Sequence, residues 1–207
     1  MTHELVMYGG AFNPPHLDHT GEDGVLGTLL KTVSTRVLLI PTGIRSDKDY
    51  ENVTPRERLT LLEYATEAYG DTVEIDPRYI LGYHDTTTLA QARYLREKYG
   101  RDIPQVFWSD VAPFMQAWDP SLWVAQKLPK IFLLRDGYPF LPSWLENYEC
   151  IPFQGKWFSS TLVRREVRAV LDGKSTTKLS TMVHDRVCEY ILREWLFSDG
   201  RKEALHL

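Results

Sequence analysis

The sequence predicts an α/β fold, a doubly wound parallel sheet with helices on both faces. Short apolar runs alternate with helix-length segments along nearly the whole chain. The runs are apolar at consecutive positions, as in strands covered on both sides, and the first of them ends in a glycine pair. A chain of 207 residues, 43% hydrophobic and 25% charged, has the size of one α/β domain with small additions. We read residues 1–207 as a single domain, with residues 159–207 as a C-terminal helical part.

Glu4 to Tyr8 (ELVMY) is the first expected strand, stopped by Gly9-Gly10. After Pro14-Pro15, apolar residues at Leu17, Val25, Leu26, Leu29, Leu30 and Val33 predict a helix over His16 to Val33, loosened by Gly21, Gly24 and Gly27. Arg36 to Pro41 is a second buried strand, and Thr42 to Val53 a polar loop. Thr54-Pro55, with Glu57 in the first turn, opens a helix to Tyr69 that is expected to bury Leu59, Leu62, Ala65 and Thr66 and to stop at Gly70. Strands then follow at Thr72–Ile75, Gln105–Trp108, Lys130–Leu134 and Tyr148–Pro152, and helices at Thr86–Tyr99, Ser160–Leu171 and His184–Phe197.

The composition excludes several classes of function. The 24 Lys and Arg against 28 Asp and Glu give a net charge of -4, with no basic run to track a nucleic-acid backbone, so nucleic acid is not an expected partner. Cys150 and Cys188 form no C-x-x-C and suggest neither a zinc site nor a disulfide framework; both are expected to be buried, reduced thiols. No apolar stretch approaches the roughly 20 residues that span a bilayer, the mean hydropathy is -0.31, and Met1 to Glu4 lack a signal-peptide start. The expectation is a cytoplasmic protein without a membrane partner.

In an open parallel sheet, ligands bind beyond the carboxyl ends of the strands. After the first strand comes Gly9-Gly10-Ala11-Phe12-Asn13-Pro14-Pro15-His16-Leu17-Asp18-His19. The glycines allow close backbone approach, and histidines at i and i+3 share one face of a first helical turn, where N–H groups and the dipole favour an anion. Near the other end, Ser159-Ser160-Thr161-Leu162-Val163-Arg164 opens a helix with hydroxyls at the cap and an Arg one turn in, a second anion cradle. Taken singly, each segment also fits a plainer role, a surface histidine pair or an ordinary helix cap.

Together the two segments resemble the nucleotidylyltransferase superfamily, specifically its nicotinamide/nicotinate mononucleotide adenylyltransferase branch. GGAFNPPHLDH is similar to that family's GGxF(D/N)PxHxGH pattern and FSSTLVR to its ISSTxxR pattern, and the likeness runs from about Val6 to Leu196. The resemblance implies a Rossmann-like sheet. It also implies transfer of AMP from ATP to the phosphate of a pyridine mononucleotide, giving a dinucleotide and pyrophosphate by direct displacement. It puts Gly9, Gly10, Ala11, Phe12, His16, His19, Asp110, Arg135, Ser160, Thr161 and Arg164 on the ATP side, with His16, His19 and Arg164 as the catalytic set. Asn13, Lys48, Asp85, Thr86 and Trp118 fall on the mononucleotide side. Mg²⁺ is implied as the companion of ATP, without a protein-only metal cage, and a homo-oligomer is left open.

Two departures bear on that assignment. Asp18 stands where the pattern has glycine, a carboxylate beside a site for polyphosphate, and is expected to face away from the phosphates. Asp85 falls where a threonine would meet the pyridine carboxyl, which leaves the choice between nicotinate and nicotinamide open, and Lys48 is assigned by position because its loop lacks a PPHK form. The alternatives are a cytidylyl- or pantetheine-phosphate-type transferase and a nucleotide-binding protein without catalysis. An aminoacyl-tRNA synthetase is excluded by the chain's length and acidity.

Overall fold

The computed structural model describes residues 3–43, 52–82, 87–134, 141–156, 158–175 and 179–198. Strand β1 (Val6–Gly10) is followed by a single helical turn, α1 (Leu17–Thr20), and by helix α2 (Val25–Thr32). Strand β2 (Val37–Pro41) leads to helix α3 (Pro55–Thr66), a 3₁₀ segment over Glu67–Thr72 and strand β3 (Val73–Ile75). Helix α4 (Thr88–Tyr99), strand β4 (Gln105–Trp108), a 3₁₀ segment over Ser109–Ala117, the short α5 (Trp123–Gln126), β5 (Lys130–Leu134) and β6 (Tyr148–Pro152) follow. Helices α6 (Ser160–Leu171) and α7 (Asp185–Arg193) close the described chain.

All strand pairs are parallel and the order is β3-β2-β1-β4-β5-β6. Val6 and Tyr8 face Val37 and Leu39 on one side, and Met7 and Tyr8 face Gln105 and Val106 on the other. The order reverses between β1 and β4, so the crevice that such a sheet offers a ligand opens beyond Gly10 and Trp108. Alternation along the strands sends Val6, Tyr8, Val37 and Leu39 into one core with Val25, Leu26 and Leu29 of α2. Met7, Leu38 and Ile40 enter another with Leu95 of α4. The expected doubly wound sheet, covered on both faces, is the observed one.

Four expectations need correction. The helix expected over His16–Val33 is two helices, because the turn between them packs so closely that a Cβ on Gly24 would stand 2.2 Å from the Leu17 carbonyl oxygen. The capping box at Thr54 and Glu57 is present, but the buried face of α3 is Arg58, Leu61, Leu62, Ala65 and Thr66, with Leu59 only half-buried; the last turn is 3₁₀, and the helical path breaks at Gly70 (φ 52°, ψ -137°), where the stop was expected. Helix α7 ends at Arg193, where Trp195 and Phe197 take positive φ values of 53° and 66°. Strand β6 is not apolar on both faces: it lies at the sheet's edge with Tyr148 42% exposed. Cys150 on that strand is therefore exposed rather than buried, and Cys188 is half-buried; both are free thiols.

The C-terminal helices bury Val163, Val167, Val187 and Ile191 against Leu61 and Ala65 of α3. The start of α6 is thereby held beside the end of β1. Among the described residues no helix is long and apolar enough to cross a membrane.

Candidate active site

The two segments that the sequence set 140 residues apart meet at the carboxyl end of β1. His16 caps α1 with extended backbone (φ -134°, ψ 171°) and His19 lies in its single turn. Their rings stack, with centroids 3.6 Å apart and planes inclined by 27°, and the edge of Phe12 supports His19 from 5.3 Å. Phe12 is 1% exposed and also meets Tyr8 edge-on at 5.5 Å, so the histidine pair rests on the sheet core. The Nδ1 atoms of both rings are buried without a hydrogen-bond partner among the described residues.

Burial lowers the pKa of His16 to about 4, against an opposing pull from the Asp18 carboxylate. Burial likewise holds His19 well below the ordinary histidine range, and the neighbouring His16 adds to the effect. Two imidazolium rings stacked at this distance would repel, so the pair is neutral near pH 7 in the free protein. A nearby anion favours the protonated form of such a ring.

The second cradle is stitched to the first. The Ser159 hydroxyl caps α6 by accepting the Leu162 N–H at 3.1 Å. The Ser160 hydroxyl donates to the Pro14 carbonyl at 2.9 Å, and Arg164 donates through Nη1 to the Asn13 carbonyl at 2.8 Å and through Nη2 to the Thr161 hydroxyl at 3.4 Å. Ser160 therefore spends its proton on the first segment, while the exposed Thr161 leaves its side of the helix start open to solvent. Asn13 is itself buried.

Asp18 is 7% exposed and turned to backbone: Oδ1 accepts the Lys156 N–H at 2.9 Å and Oδ2 the Phe158 N–H at 2.8 Å. Its carboxylate is thus occupied by N–H donors on the chain that enters α6. A buried cation that the sequence reading missed is Arg58, 2% exposed, whose Nη2 donates to the carbonyls of Ala11 and Thr42 and so braces the turn after β1 against the end of β2. An arginine on the apolar face of an otherwise ordinary amphipathic helix was its only sequence signal. α1 is held further by the Leu17 N–H on the Met182 carbonyl (2.8 Å) and by the Tyr69 hydroxyl on the Thr20 carbonyl (2.9 Å).

Asp110 is half-buried just beyond β4, the strand that pairs with β1. Trp118 is half-buried at the end of the same 3₁₀ segment, tilted against Phe107 at 5.8 Å. Lys48, Asp85, Thr86 and Arg135 lie outside the described residues.

A neutral histidine pair, an arginine at a helix start and a glycine turn are gathered at the switch point of a Rossmann-like sheet. Known proteins similar to the chain in sequence and in fold share one description. In sequence the chain is 26% identical over 207 aligned residues, 95% of itself and 100% of the relative, to a "Probable nicotinate-nucleotide adenylyltransferase" of Caldicellulosiruptor saccharolyticus. In fold it is similar to the nicotinic acid mononucleotide adenylyltransferase of Plasmodium falciparum complexed with NaAD, with a TM-score of 0.67 at 16% identity over 94% of this chain and 97% of that one. The same parasite enzyme complexed with APC gives 0.64 at 13% identity, again over 94% and 97%. No family model matches the chain. The resemblance first carried by GGAFNPPHLDH and FSSTLVR thus extends to the architecture and to nearly the full length of the chain.

Proposed function

We propose that the protein is a nicotinate-nucleotide adenylyltransferase of NAD biosynthesis: it transfers AMP from ATP to the phosphate of nicotinate or nicotinamide mononucleotide, giving the dinucleotide and pyrophosphate. The observation that carries this reading is the joining of the two anion-facing segments, with Arg164 hydrogen-bonded to Asn13 and Ser160 to Pro14 beside the stacked histidines. The full-length relative supports nicotinate as the base.

An oxygen of the mononucleotide phosphate attacks the α-phosphorus, the bond from that phosphorus to the bridging oxygen breaks, and pyrophosphate leaves with the electron pair. The substrate is its own nucleophile, so the protein contributes alignment and charge. In this reading His16 and His19 face the triphosphate and become protonated as it binds, and His19 stabilises charge that grows on the α-phosphate. Arg164 and the Thr161 hydroxyl hold the β- and γ-phosphates at the start of α6, whose N–H groups favour anions. The backbone of Gly9 to Phe12 passes beneath the nucleotide and Asp110 takes the adenosine ribose. Asn13 and Trp118, with Lys48, Asp85 and Thr86, serve the mononucleotide, and Arg135 the ATP side. Mg²⁺ would arrive with the triphosphate and would add positive charge at the phosphates beside His16, His19 and Arg164.

The alternative of a nucleotide-binding protein without catalysis rested on Asp18. Both of its oxygens are engaged by backbone N–H groups, which supports a structural role for that carboxylate, although its charge still reaches His16. We place the whole reaction in this one chain and the protein in the cytoplasm, which suits its two free thiols. The test is turnover of the purified protein with ATP and Mg²⁺, offered each mononucleotide separately. Dinucleotide and pyrophosphate in equal amounts are expected, faster with the nicotinate form. ATP binding with no product from either acceptor would overturn the assignment.

A further inference from the structure

We propose that Asp18 is a positioning residue: its carboxylate ties the histidine-bearing turn α1 to the chain entering α6, and so sets the spacing between the histidine pair and the Arg164 cradle. The inference rests on the reading under Proposed function. It concerns a position at which this chain departs from the pattern it resembles, since a glycine there offers no acceptor.

Asp18 joins residues 138 and 140 positions away, and neither oxygen is left over: Oδ1 takes the N–H of Lys156 and Oδ2 that of Phe158. Hydrogen bonds from backbone N–H groups to a carboxylate are charge-assisted and short, and two of them at 2.9 and 2.8 Å fix orientation as well as distance. Gly155 is the complement of this arrangement. A Cβ there would stand 2.9 Å from Asp18 Oδ2 and 2.6 Å from Phe153 Cε1, so the chain approaches the carboxylate this closely only because residue 155 has no side chain.

Phe158 is followed directly by Ser159, the cap of α6, and then by Ser160, Thr161 and Arg164. A tie at Phe158 therefore acts one residue before the cap of the helix whose start would face the phosphates. Ser160 also bonds across to Pro14 and Arg164 to Asn13, but the Arg164 contact uses the side chain that a triphosphate would engage. Asp18 adds two ties that do not draw on Arg164, so the spacing survives when Arg164 turns to a phosphate.

The experiment compares the wild-type protein with Asp18→Asn, Asp18→Gly and Gly155→Ala in turnover with ATP and Mg²⁺, in calorimetric ATP affinity and in amide hydrogen exchange at Lys156 and Phe158. Asp18→Asn keeps the shape of the side chain but replaces one acceptor by an NH₂ group, and it remains informative where Asp18→Gly does not fold. Expected are exchange at one or both amides faster by tenfold or more, a KM for ATP raised at least tenfold, and a KM for the mononucleotide changed less than twofold. Gly155→Ala should move the same quantities in the same direction with the carboxylate still present.

Folded variants whose KM for ATP and kcat stay within twofold of wild type would overturn the proposal, as would tighter ATP binding in Asp18→Gly. A parallel rise of both KM values with a lower melting temperature would mark Asp18 as a general stabiliser and overturn it equally. Wild-type protein without adenylyl transfer would instead overturn the functional reading, and the calorimetric ATP affinities of the variants would still decide the role of Asp18.

Discussion

In the segment after β1, His16 is 3% exposed, the rings of His16 and His19 are stacked, and burial holds both below the ordinary histidine range. In the segment that opens α6, Ser159 and Thr161 are exposed and Arg164 carries its charge at all accessible pH values from a half-buried position. The first segment is a neutral histidine shelf and the second a permanent cation at the rim. The proposed reaction would use both: the permanent charge would gather the triphosphate, and charge induced on the histidines as negative charge builds on the reacting phosphate would raise the rate rather than only the affinity.

Replacing one member of each segment separates these roles. His19→Ala removes the group that the proposed mechanism sets against the α-phosphate, and the expected loss is on the order of 10³ in kcat with the KM for ATP nearly unchanged, the scale seen when one transition-state donor is deleted. The fold should persist, because His19 makes no side-chain hydrogen bond through Nδ1 and loses only its two ring contacts, with His16 and Phe12. Steady-state kinetics with a melting curve decides it. A His19→Ala protein with near-normal kcat would remove the conditional charge from the mechanism.

Arg164→Ala should cost less, roughly 10²-fold in kcat/KM, and through KM for ATP more than through kcat, as a contact made in both ground and transition states is lost. Part of the cost is indirect, because Arg164 also donates to the Asn13 carbonyl. Arg164→Lys sharpens the measurement. A lysine keeps the charge but not the forked geometry, so partial recovery of KM without recovery of kcat would assign the remaining effect to the fork.

The contrast between the segments also marks how far the sequence could be read. Both motifs were legible because the residues that define them are neighbours in the chain: a glycine turn with histidines at i and i+3, and hydroxyls at a helix start with an Arg one turn in. The strand and helix order was legible for the same reason, from runs and periods. What joins the motifs was not. Asp18 with Lys156 and Phe158, or Arg58 with Ala11 and Thr42, are contacts between distant residues that leave no period behind. Asp18 looked like an electrostatic fault until its partners were seen. Cys150 was misjudged because exposure depends on where a strand falls in the sheet, and β6 proves to be an edge. The split of the first helix followed from close packing around Gly24, which propensity registers only as weakness.

The buried, neutral state of the first segment has a consequence for stability that the second cannot have. The His16 pKa is lowered to about 4 in the folded protein, against about 6.5 in the unfolded chain. Above pH 6.5 both states are neutral at this residue and its full contribution to stability is present. As the pH falls below 6.5 the unfolded chain takes up the proton first, so stability is lost progressively down to about pH 4. Between pH 7 and 5.5 this single group should lower the unfolding free energy by about 1 kcal/mol. His19 and His184, both lowered by burial, shift in the same sense, so the measurement is a difference. Urea unfolding of wild type and His16→Asn at both pH values should show the variant losing about 1 kcal/mol less over that interval. Equal losses would mean that His16 already carries its proton in the free protein, and the first segment would then be a second permanent cation rather than a conditional one.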